Sequence, residues 1–146
     1  MPSDRRTFAT CRVGHLLVGL NVDAVQEVTA GGDLTPVPLA PPMVSGLLNL
    51  RGQIVTAIDL RRSLQLADRP VGQPAVNVIL RADGGSVGLV VDSIGDVLDV
   101  DDHAFEEPPS TVRGHLRELI TGVYKLERGL LLVLNTERVM EESSGE

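Results

Sequence analysis

The sequence predicts a mostly β protein of two related subdomains, each a small antiparallel barrel of about five short strands, with a few short helices. Apolar residues recur with a period of two along most of the chain, which is typical of half-buried strands. The segment Asp83-Gly84-Gly85 separates two such runs and is the strongest hairpin signal in the chain. In addition, parts of the first half of the sequence resemble parts of the second half.

Strand patterns cover residues 8–13, 15–20, 53–58, 76–82, 86–91 and 130–134. Gly14 joins the first two runs as a hairpin, and the turn Arg51-Gly52 leads into the third. Residues 35–42 include four prolines, which are excluded from central strands and helix interiors. This segment is therefore predicted to be an ordered loop.

Three short helices are predicted, over residues 24–28, over residues 60–66 and up to residue 140. Their N-terminal signals are Asp23 with Gln26 three residues later, Asp59, and Asn135 or Thr136. Outside the patterned region, residues 1–6 and 141–146 are expected to be flexible tails.

An internal repeat relates residues 18–28 to residues 87–97, with six of eleven positions identical. A weaker match relates residues 46–62 to residues 122–138. Such self-similarity predicts two structurally related lobes.

We expect these lobes to be intertwined within one domain over residues 7–140, with cores at about 14–66 and 76–134. Each lobe alone has too few residues for a robust core, so the lobes should share a hydrophobic interface.

Composition excludes several classes of partner. The chain has 13 Lys and Arg against 20 Asp and Glu, giving a net charge of −7 that opposes binding to a phosphate backbone. With two Phe, one Tyr and no Trp, it also offers few platforms for stacking bases, so nucleic acid is not expected as a partner.

Neither a membrane span nor cysteine chemistry is expected. The longest apolar runs have about five residues, against roughly 20 needed to cross a bilayer, and no signal-peptide core is present. Direct membrane insertion is therefore not expected, and the predicted location is cytoplasmic. Cys11 is the single cysteine, which excludes an intrachain disulfide and predicts a buried structural thiol.

No catalytic, cofactor-binding or metal-binding constellation is expected. The nucleophile elbow, the P-loop, the dinucleotide fingerprint and the zinc-protease motif are all missing. His15, His103 and His115 have no metal-ligand spacing. A calcium loop starting at Asp99 fails because Ala104 and Ser110 occupy the positions that require glycine and glutamate. We therefore expect the protein not to be an enzyme.

An acidic segment extends from Asp92 to Glu107 and contains neither Lys nor Arg. Its seven acids are Asp92, Asp96, Asp99, Asp101, Asp102, Glu106 and Glu107. The preferred interpretation is a solvated loop that keeps the protein soluble. The alternative is an acidic patch that steers a basic partner.

The segment before Gly52 is the strongest candidate for a recognition surface. Asn49 and Arg51 alternate with leucines, so one face should be buried while the other presents an amide and a cation. The repeat places Glu27 where it could pair with that cation, and such a pair orients both side chains. Local stabilisation is the alternative role, although exposed pairs contribute only about 0–1 kcal/mol.

These motifs also carry a family resemblance, over roughly residues 7–140. The segments that carry it are Val25-Gln26-Glu27-Val28, Val44 to Val55 around Asn49-Leu50-Arg51-Gly52, Ile58-Asp59-Leu60-Arg61, Val87 to Asp92 and Asp96-Val97-Leu98. Together they resemble the CheW-type chemotaxis coupling proteins. The block around Arg51, followed by a strand that ends in Asp-Leu-Arg, is the most specific part.

The resemblance implies two SH3-like five-stranded β-barrels packed on each other. It also implies a non-enzymatic adaptor that joins the cytoplasmic tips of chemoreceptors to the regulatory domain of a CheA-type histidine kinase, at membrane-associated receptor arrays. Transferred residue by residue, Glu27 and Arg51 match the family's paired acid and arginine near the partner-contacting surface. Val25 matches a neighbouring apolar contact, and Asn49 and Gly52 match the turn that presents the arginine.

Two other functions are compatible with a small mostly β chain. One is an SH3-like or OB-like nucleic-acid-binding module, which the acidic charge and scarce aromatics disfavour. The other is a CheW-like regulatory domain of a histidine kinase, which the polar ends of the chain disfavour.

Overall fold

The computed structural model describes residues 5–30 and 33–143 of the chain. Twelve strands lie in these ranges: β1 (Arg5–Val13), β2 (Leu16–Asn21), β3 (Val25–Ala30), β4 (Leu34–Thr35), β5 (Val44–Leu50), β6 (Gln53–Asp59), β7 (Val76–Ala82), β8 (Gly85–Val91), β9 (Ser93–Asp101), β10 (Phe105–Glu106), β11 (Ile120–Leu126) and β12 (Gly129–Leu134). The helices there are α1 (Leu60–Ser63), α2 (Gly114–Leu119) and α3 (Thr136–Ser143). None of the three is long or apolar enough to cross a bilayer.

The strands form two sheets of six. Sheet 1 has the order β10-β11-β12-β2-β1-β9, and sheet 2 has the order β3-β7-β8-β6-β5-β4. Neighbouring strands are antiparallel except for β12 beside β2 and β6 beside β8, which are parallel. The predicted fold class, mostly β with short helices and two SH3-like subdomains, is thereby confirmed.

The predicted strand count and core boundaries need correction. Each sheet has six strands rather than five, and its strand order over the described residues is linear, so it does not close into a barrel. Sheet 1 takes β1 and β2 from the first half of the chain and the other four strands from the second half. The cores 14–66 and 76–134 therefore do not correspond to the two sheets. Local hairpin signals show which strands are joined, but not which sheet a hairpin enters.

The internal repeat is reproduced in three dimensions. Each strand of the first half has a counterpart six strands later in the second half. When every strand of sheet 1 is replaced by its counterpart, the order becomes that of sheet 2 read in the opposite direction. Both halves also have a register shift at the same glycine, Gly46 in β5 and Gly122 in β11. A Cβ atom would lie 2.6 Å from the carbonyl oxygen of Thr35 or of Glu106, respectively. Both glycines thus let a short edge strand cross closely over the sheet.

The main core is aliphatic and draws on both sheets. It includes Cys11, Val18, Leu20, Ile58, Leu80, Leu89, Leu119 and Leu134. A second cluster lies on sheet 1, where the ring of Tyr124 packs between Phe8 and Phe105 at centroid distances of 5.6 and 5.3 Å. Because side chains of both sheets form the main core, the two sheets are held together by apolar burial.

Two of the predicted helices are confirmed and one is wrong. Asp59 caps α1 by accepting the amide hydrogen of Arg61, and α3 begins after Asn135, whose side chain accepts the Arg138 amide. Helix α1 ends at Ser63, three residues earlier than predicted. Residues 24–28, predicted as helical, instead contain the end of a 3₁₀ turn and most of β3.

The acidic segment is largely a strand rather than a loop. Residues Ser93–Asp101 form β9, which pairs with β1 at the edge of sheet 1. The strand patterns also missed β11, and no helix had been predicted over α2. Of the predicted loop 35–42, only Thr35 belongs to a strand.

The expected tails lie mainly outside the described residues. Residues 1–4 and 144–146 fall outside them, while Arg6 belongs to β1 and residues 141–143 belong to α3.

Candidate functional site

The five candidate residues lie on two elements of sheet 2. Val25 and Glu27 belong to β3, whereas Asn49, Arg51 and Gly52 lie at the turn between β5 and β6. Strands β7 and β8 separate these elements in the hydrogen-bonding order. Sheet 2 must therefore curl, as in an SH3-like fold, to bring side chains from the two elements together.

Glu27 and Arg51 do meet across this curled sheet. The Nη2 atom of Arg51 lies 2.6 Å from both Oε1 and Oε2 of Glu27. The Arg51 side chain is 71% exposed, while that of Glu27 is 20% exposed. The carboxylate is thus partly recessed and the guanidinium lies at the surface.

The turn that carries Arg51 has a defined conformation. Leu50 pairs with Gln53, so Arg51 and Gly52 form a two-residue hairpin loop, and both have positive φ angles of 53° and 87°. These angles identify a type I′ turn, whose first position normally favours asparagine or aspartate rather than arginine. The Asn49 side chain accepts the Gly52 amide hydrogen at 3.0 Å and closes the turn. The backbone at Arg51 is therefore held in one direction.

Val25 occupies a different environment from the ion pair. Its side chain packs against the main core, and its carbonyl oxygen accepts a hydrogen bond from Arg81 at 3.0 Å. Two exposed apolar residues near the pair in sequence are not among the residues predicted for this surface. Val28 is 48% exposed and Ile54 is 64% exposed. Correct recognition of β3 as a strand would have placed Val28 on an outer face.

The positions of the second half that correspond to this ion pair, Asp96 and Glu127, do not form one. By the repeat, Glu127 and Arg128 correspond to Arg51 and Gly52, and Asp96 corresponds to Glu27. The positions that form an acid–arginine pair in sheet 2 are both acidic in sheet 1, so the same attraction cannot form. The two otherwise similar lobes therefore differ in charge at this point.

A second group of charges is partly buried where the halves of the chain meet, and we call it the Asp92 cluster (Asp92, Arg61 and Arg69). Both oxygens of Asp92 accept from Arg61, at 2.9 and 2.7 Å, and Oδ1 also accepts from Arg69 Nε at 2.9 Å. The Gly14 amide donates to Oδ2 at 2.7 Å. Burial alone would raise the pKa of Asp92, but these donors hold the pKa at about 2, below its ordinary 3.8. Through these hydrogen bonds the cluster links the β1–β2 turn to α1 and to the segment that connects the two halves of the chain.

Several acids of the acidic segment have local partners. Arg6 Nε lies 2.9 Å from Asp102, and Lys125 Nζ lies 3.5 Å from Glu106. The Thr7 hydroxyl donates to Asp99. These contacts link β9 and the following 3₁₀ turn to β1, and β10 to β11, which gives part of the segment a structural role.

Comparisons with known proteins agree with the resemblance seen in the sequence. Residues 7–144 match the family described as the CheW-like domain. The chemotaxis protein CheW of Treponema pallidum is 29% identical over 136 residues, which cover 90% of this chain and 80% of that protein. The chemotaxis protein CheW of Rhizobium meliloti is 27% identical over 141 residues, which cover 97% and 91%.

A solved structure has the same fold. The scaffolding protein TtCheW from Thermoanaerobacter tengcongensis superposes with a TM-score of 0.77 at 25% identity. The match covers 92% of this chain and 90% of that one, so it includes both sheets.

Proposed function

The chain belongs to the CheW-like family, and we propose on that premise that it is a non-enzymatic adaptor of chemotaxis signalling. In this role it couples the cytoplasmic tips of chemoreceptors to the regulatory domain of a CheA-type histidine kinase. The protein would be located in the cytoplasm and recruited to receptor arrays at the membrane. The names of its relatives, chemotaxis and scaffolding proteins, support an adaptor.

The observation that carries the proposed binding site is the Glu27–Arg51 pair. Both of its contacts use Nη2, so the other guanidinium donors bind neither oxygen of Glu27. An arginine has five N–H donors in a planar fork and is frequent among residues that dominate interfaces. We propose that Glu27 holds Arg51 in one orientation, so that a partner meets an ordered cation rather than a mobile one.

The turn and the nearby apolar residues complete the proposed surface. The hydrogen bond between Asn49 and Gly52 fixes the loop that presents Arg51. The Val25 side chain packs the start of β3 against the main core. Exposed Ile54, which pairs with Asn49, supplies apolar area beside the turn. A charged anchor beside small apolar patches is typical of protein–protein interfaces.

The test measures binding and stability in the same variants. Arg51→Ala and Glu27→Ala should each weaken binding to a purified CheA-type regulatory domain, or to a receptor-tip fragment, by roughly 30-fold, or about 2 kcal/mol. Their free energy of unfolding should change by less than about 1 kcal/mol, because Arg51 is mostly exposed. Titration calorimetry and thermal melts give the two quantities.

The repeat provides a matched control. Arg128→Ala removes an arginine from the corresponding β11–β12 turn and should leave binding unchanged. The double variant Glu27→Arg with Arg51→Glu should fold normally but recover only part of the binding, because the partner contacts the surface directly. Early melting of the single variants, with normal binding once folded, would make the pair structural and reject the proposed site.

A further inference from the structure

Leu39 has a backbone conformation that neither a helix end nor the proposed binding surface explains. In the part of the chain that the structure describes, the non-glycine residues with positive φ angles are Leu39, Arg51 and Gln65. Gln65 follows α1, where its amide donates to the carbonyl of Arg62 and where a left-handed residue commonly ends a helix. Arg51 lies in the turn of the proposed surface. Leu39, with a φ angle of 63°, lies in the loop between β4 and β5.

Leu39 is the third residue of a tight turn. The Ala40 amide donates to the carbonyl of Val37 at 3.3 Å, so Pro38 and Leu39 are the two central residues. A proline followed by a residue with a positive φ angle identifies a type II turn, whose third position normally requires glycine or asparagine. A leucine at this position is strained, because its Cβ atom lies too close to the following carbonyl oxygen.

The Leu39 side chain gains no packing that would offset this strain, since it is fully exposed. The end of the loop is nevertheless held in place. The Val44 amide donates to the carbonyl of Pro41 at 2.9 Å, and the Arg62 guanidinium donates to the carbonyl of Pro42 at 3.1 Å. Backbone strain of this kind is concentrated at functional sites in proteins. Leu39 is therefore a preorganised apolar side chain that the folded chain presents to solvent.

A turn in the linker between the two halves (residues 64–75) shows the unstrained arrangement. The Gln73 amide donates to the carbonyl of Pro70 at 3.1 Å, and Gly72 occupies the third position with a φ angle of 88°. Val71 precedes it and is also fully exposed, but at a position that accepts most residues. A turn can therefore expose an apolar side chain without strain, whereas Leu39 combines exposure with strain.

Charge and shape indicate the kind of partner that Leu39 fits. Residues 34–50 contain no charged side chain, so the loop suits a neutral apolar pocket rather than a charged one. A second copy of this chain is disfavoured, because a net charge of −7 keeps copies apart. A single side chain on a turn requires a pocket, which a folded globular domain offers. A pair of helices presents ridges and shallow grooves instead.

We propose, on the premise of the adaptor function, that Leu39 anchors this chain in a neutral apolar pocket of the kinase regulatory domain. This contact is separate from the Glu27–Arg51 pair, because the loop precedes β5 and Arg51 follows it. At about 3.3 Å per residue, the strand places the two contacts roughly 20 Å apart. An interface of standard size, about 800 Å² on each partner, is wide enough to include both.

Substitution of Leu39 separates its cost for folding from its use in binding. Leu39→Asn removes the apolar side chain and introduces a residue that tolerates a positive φ angle. Binding of the full chain to a purified CheA-type regulatory domain, measured by titration calorimetry, should weaken roughly tenfold or more. The melting temperature of the same variant should rise by about 2 °C or more, because the strain is removed. Leu39→Met keeps an apolar side chain of similar volume and should bind like the unmodified chain.

Val71→Asn is the matched control, since it removes an equally exposed apolar side chain from an unstrained position. It should change neither binding nor the melting temperature. Salt separates the two contacts of the interface. The loss of binding in Leu39→Asn should be the same at about 50 and about 500 mM salt, whereas the loss in Arg51→Ala should shrink at high salt, because salt screens charged contacts.

Equal binding by Leu39→Asn and the unmodified chain would overturn the anchor, while weakened binding by Arg51→Ala in the same assay would leave the adaptor function standing. A lower melting temperature of Leu39→Asn would make Leu39 a residue of the fold and would also overturn the anchor. If Leu39→Asn weakens binding to a receptor-tip fragment but not to the regulatory domain, the assigned partner is wrong. Absence of binding between the unmodified chain and the regulatory domain would reject the adaptor function and this contact together.

Discussion

Replacement of Asp92 by asparagine is the sharpest test of how the two halves of the chain are joined. Asp92 is 9% exposed and accepts hydrogen bonds from Arg61, Arg69 and the Gly14 amide. Asp92→Asn keeps the shape of the side chain but removes its charge. Two arginine side chains, 11% and 13% exposed, then lack their carboxylate. Loss of one partner from a fully buried ion pair costs about 3–5 kcal/mol. The Asp92 cluster is only partly buried, so we expect a smaller destabilisation, about 2 kcal/mol, at pH 7.

The pH dependence gives an independent estimate of the same interaction. The pKa of Asp92 lies at about 2 in the folded protein, against an ordinary 3.8. A carboxylate whose pKa is lowered by folding stabilises the fold fully at pH values above its ordinary pKa. This stabilisation is lost as the pH falls through the pKa of the folded state. At about 1.4 kcal/mol per pKa unit, the full contribution is about 2 kcal/mol. Roughly half of it, about 1 kcal/mol, should be lost between pH 7 and pH 3.

Urea unfolding followed by circular dichroism measures both quantities. The free energy of unfolding is determined at pH 7 and at pH 3 for the unmodified chain and for Asp92→Asn. The other carboxylates titrate in both proteins, so the difference between the two isolates Asp92. That difference should shrink by about 1 kcal/mol on acidification.

A matched control uses the neighbouring linker carboxylate Asp68, which is 68% exposed and pairs with Arg62 at 3.1 Å. Asp68→Asn should change stability by less than about 1 kcal/mol. The reasoning is refuted if Asp92→Asn destabilises no more than Asp68→Asn, or if the difference from the unmodified chain is the same at both pH values.

Local turn and cap chemistry made much of the fold predictable. The hairpins at Gly14 and at Asp83-Gly84-Gly85, the cap at Asp59 and the cap at Asn135 all follow from residues adjacent in sequence. The repeat was also visible, because the same strand positions are apolar in both halves. These signals act over a few residues and do not depend on the remainder of the fold.

Strand β3 shows where local signals fail. Asp23 and Gln26 resemble a capping box, but Asn21 accepts the Asp23 amide hydrogen instead, and only a 3₁₀ turn forms. The β-branched residues Val25 and Val28 then continue as a strand beside β7. Tertiary pairing therefore overrides the local helical preference.

Strand β9 and the Asp92 cluster depend on contacts between distant parts of the chain. The acidic composition of β9 suggested a loop, but its backbone pairs with β1, about ninety residues earlier. Asp92 likewise meets Arg61 and Arg69 only because the hairpins exchange between sheets. A single sequence carries no direct signal for such pairings, since their formation depends on the global topology.

Two further predictions follow from the core. Cys11 is fully buried, and its burial, followed by the charge of Asp92, raises its pKa to about 12. Ellman's reagent should therefore label the folded chain at least 100-fold more slowly than the chain unfolded in guanidinium. Rapid labelling of the folded chain would contradict this prediction. Unfolding should also be one cooperative transition, because the main core contains strands from both halves and each sheet draws strands from both. Neither sheet can keep its strands or its apolar cover once one half unfolds, so urea transitions followed by circular dichroism and by Cys11 labelling should coincide. Two separate transitions would show that apolar contact between the sheets is too weak to couple them.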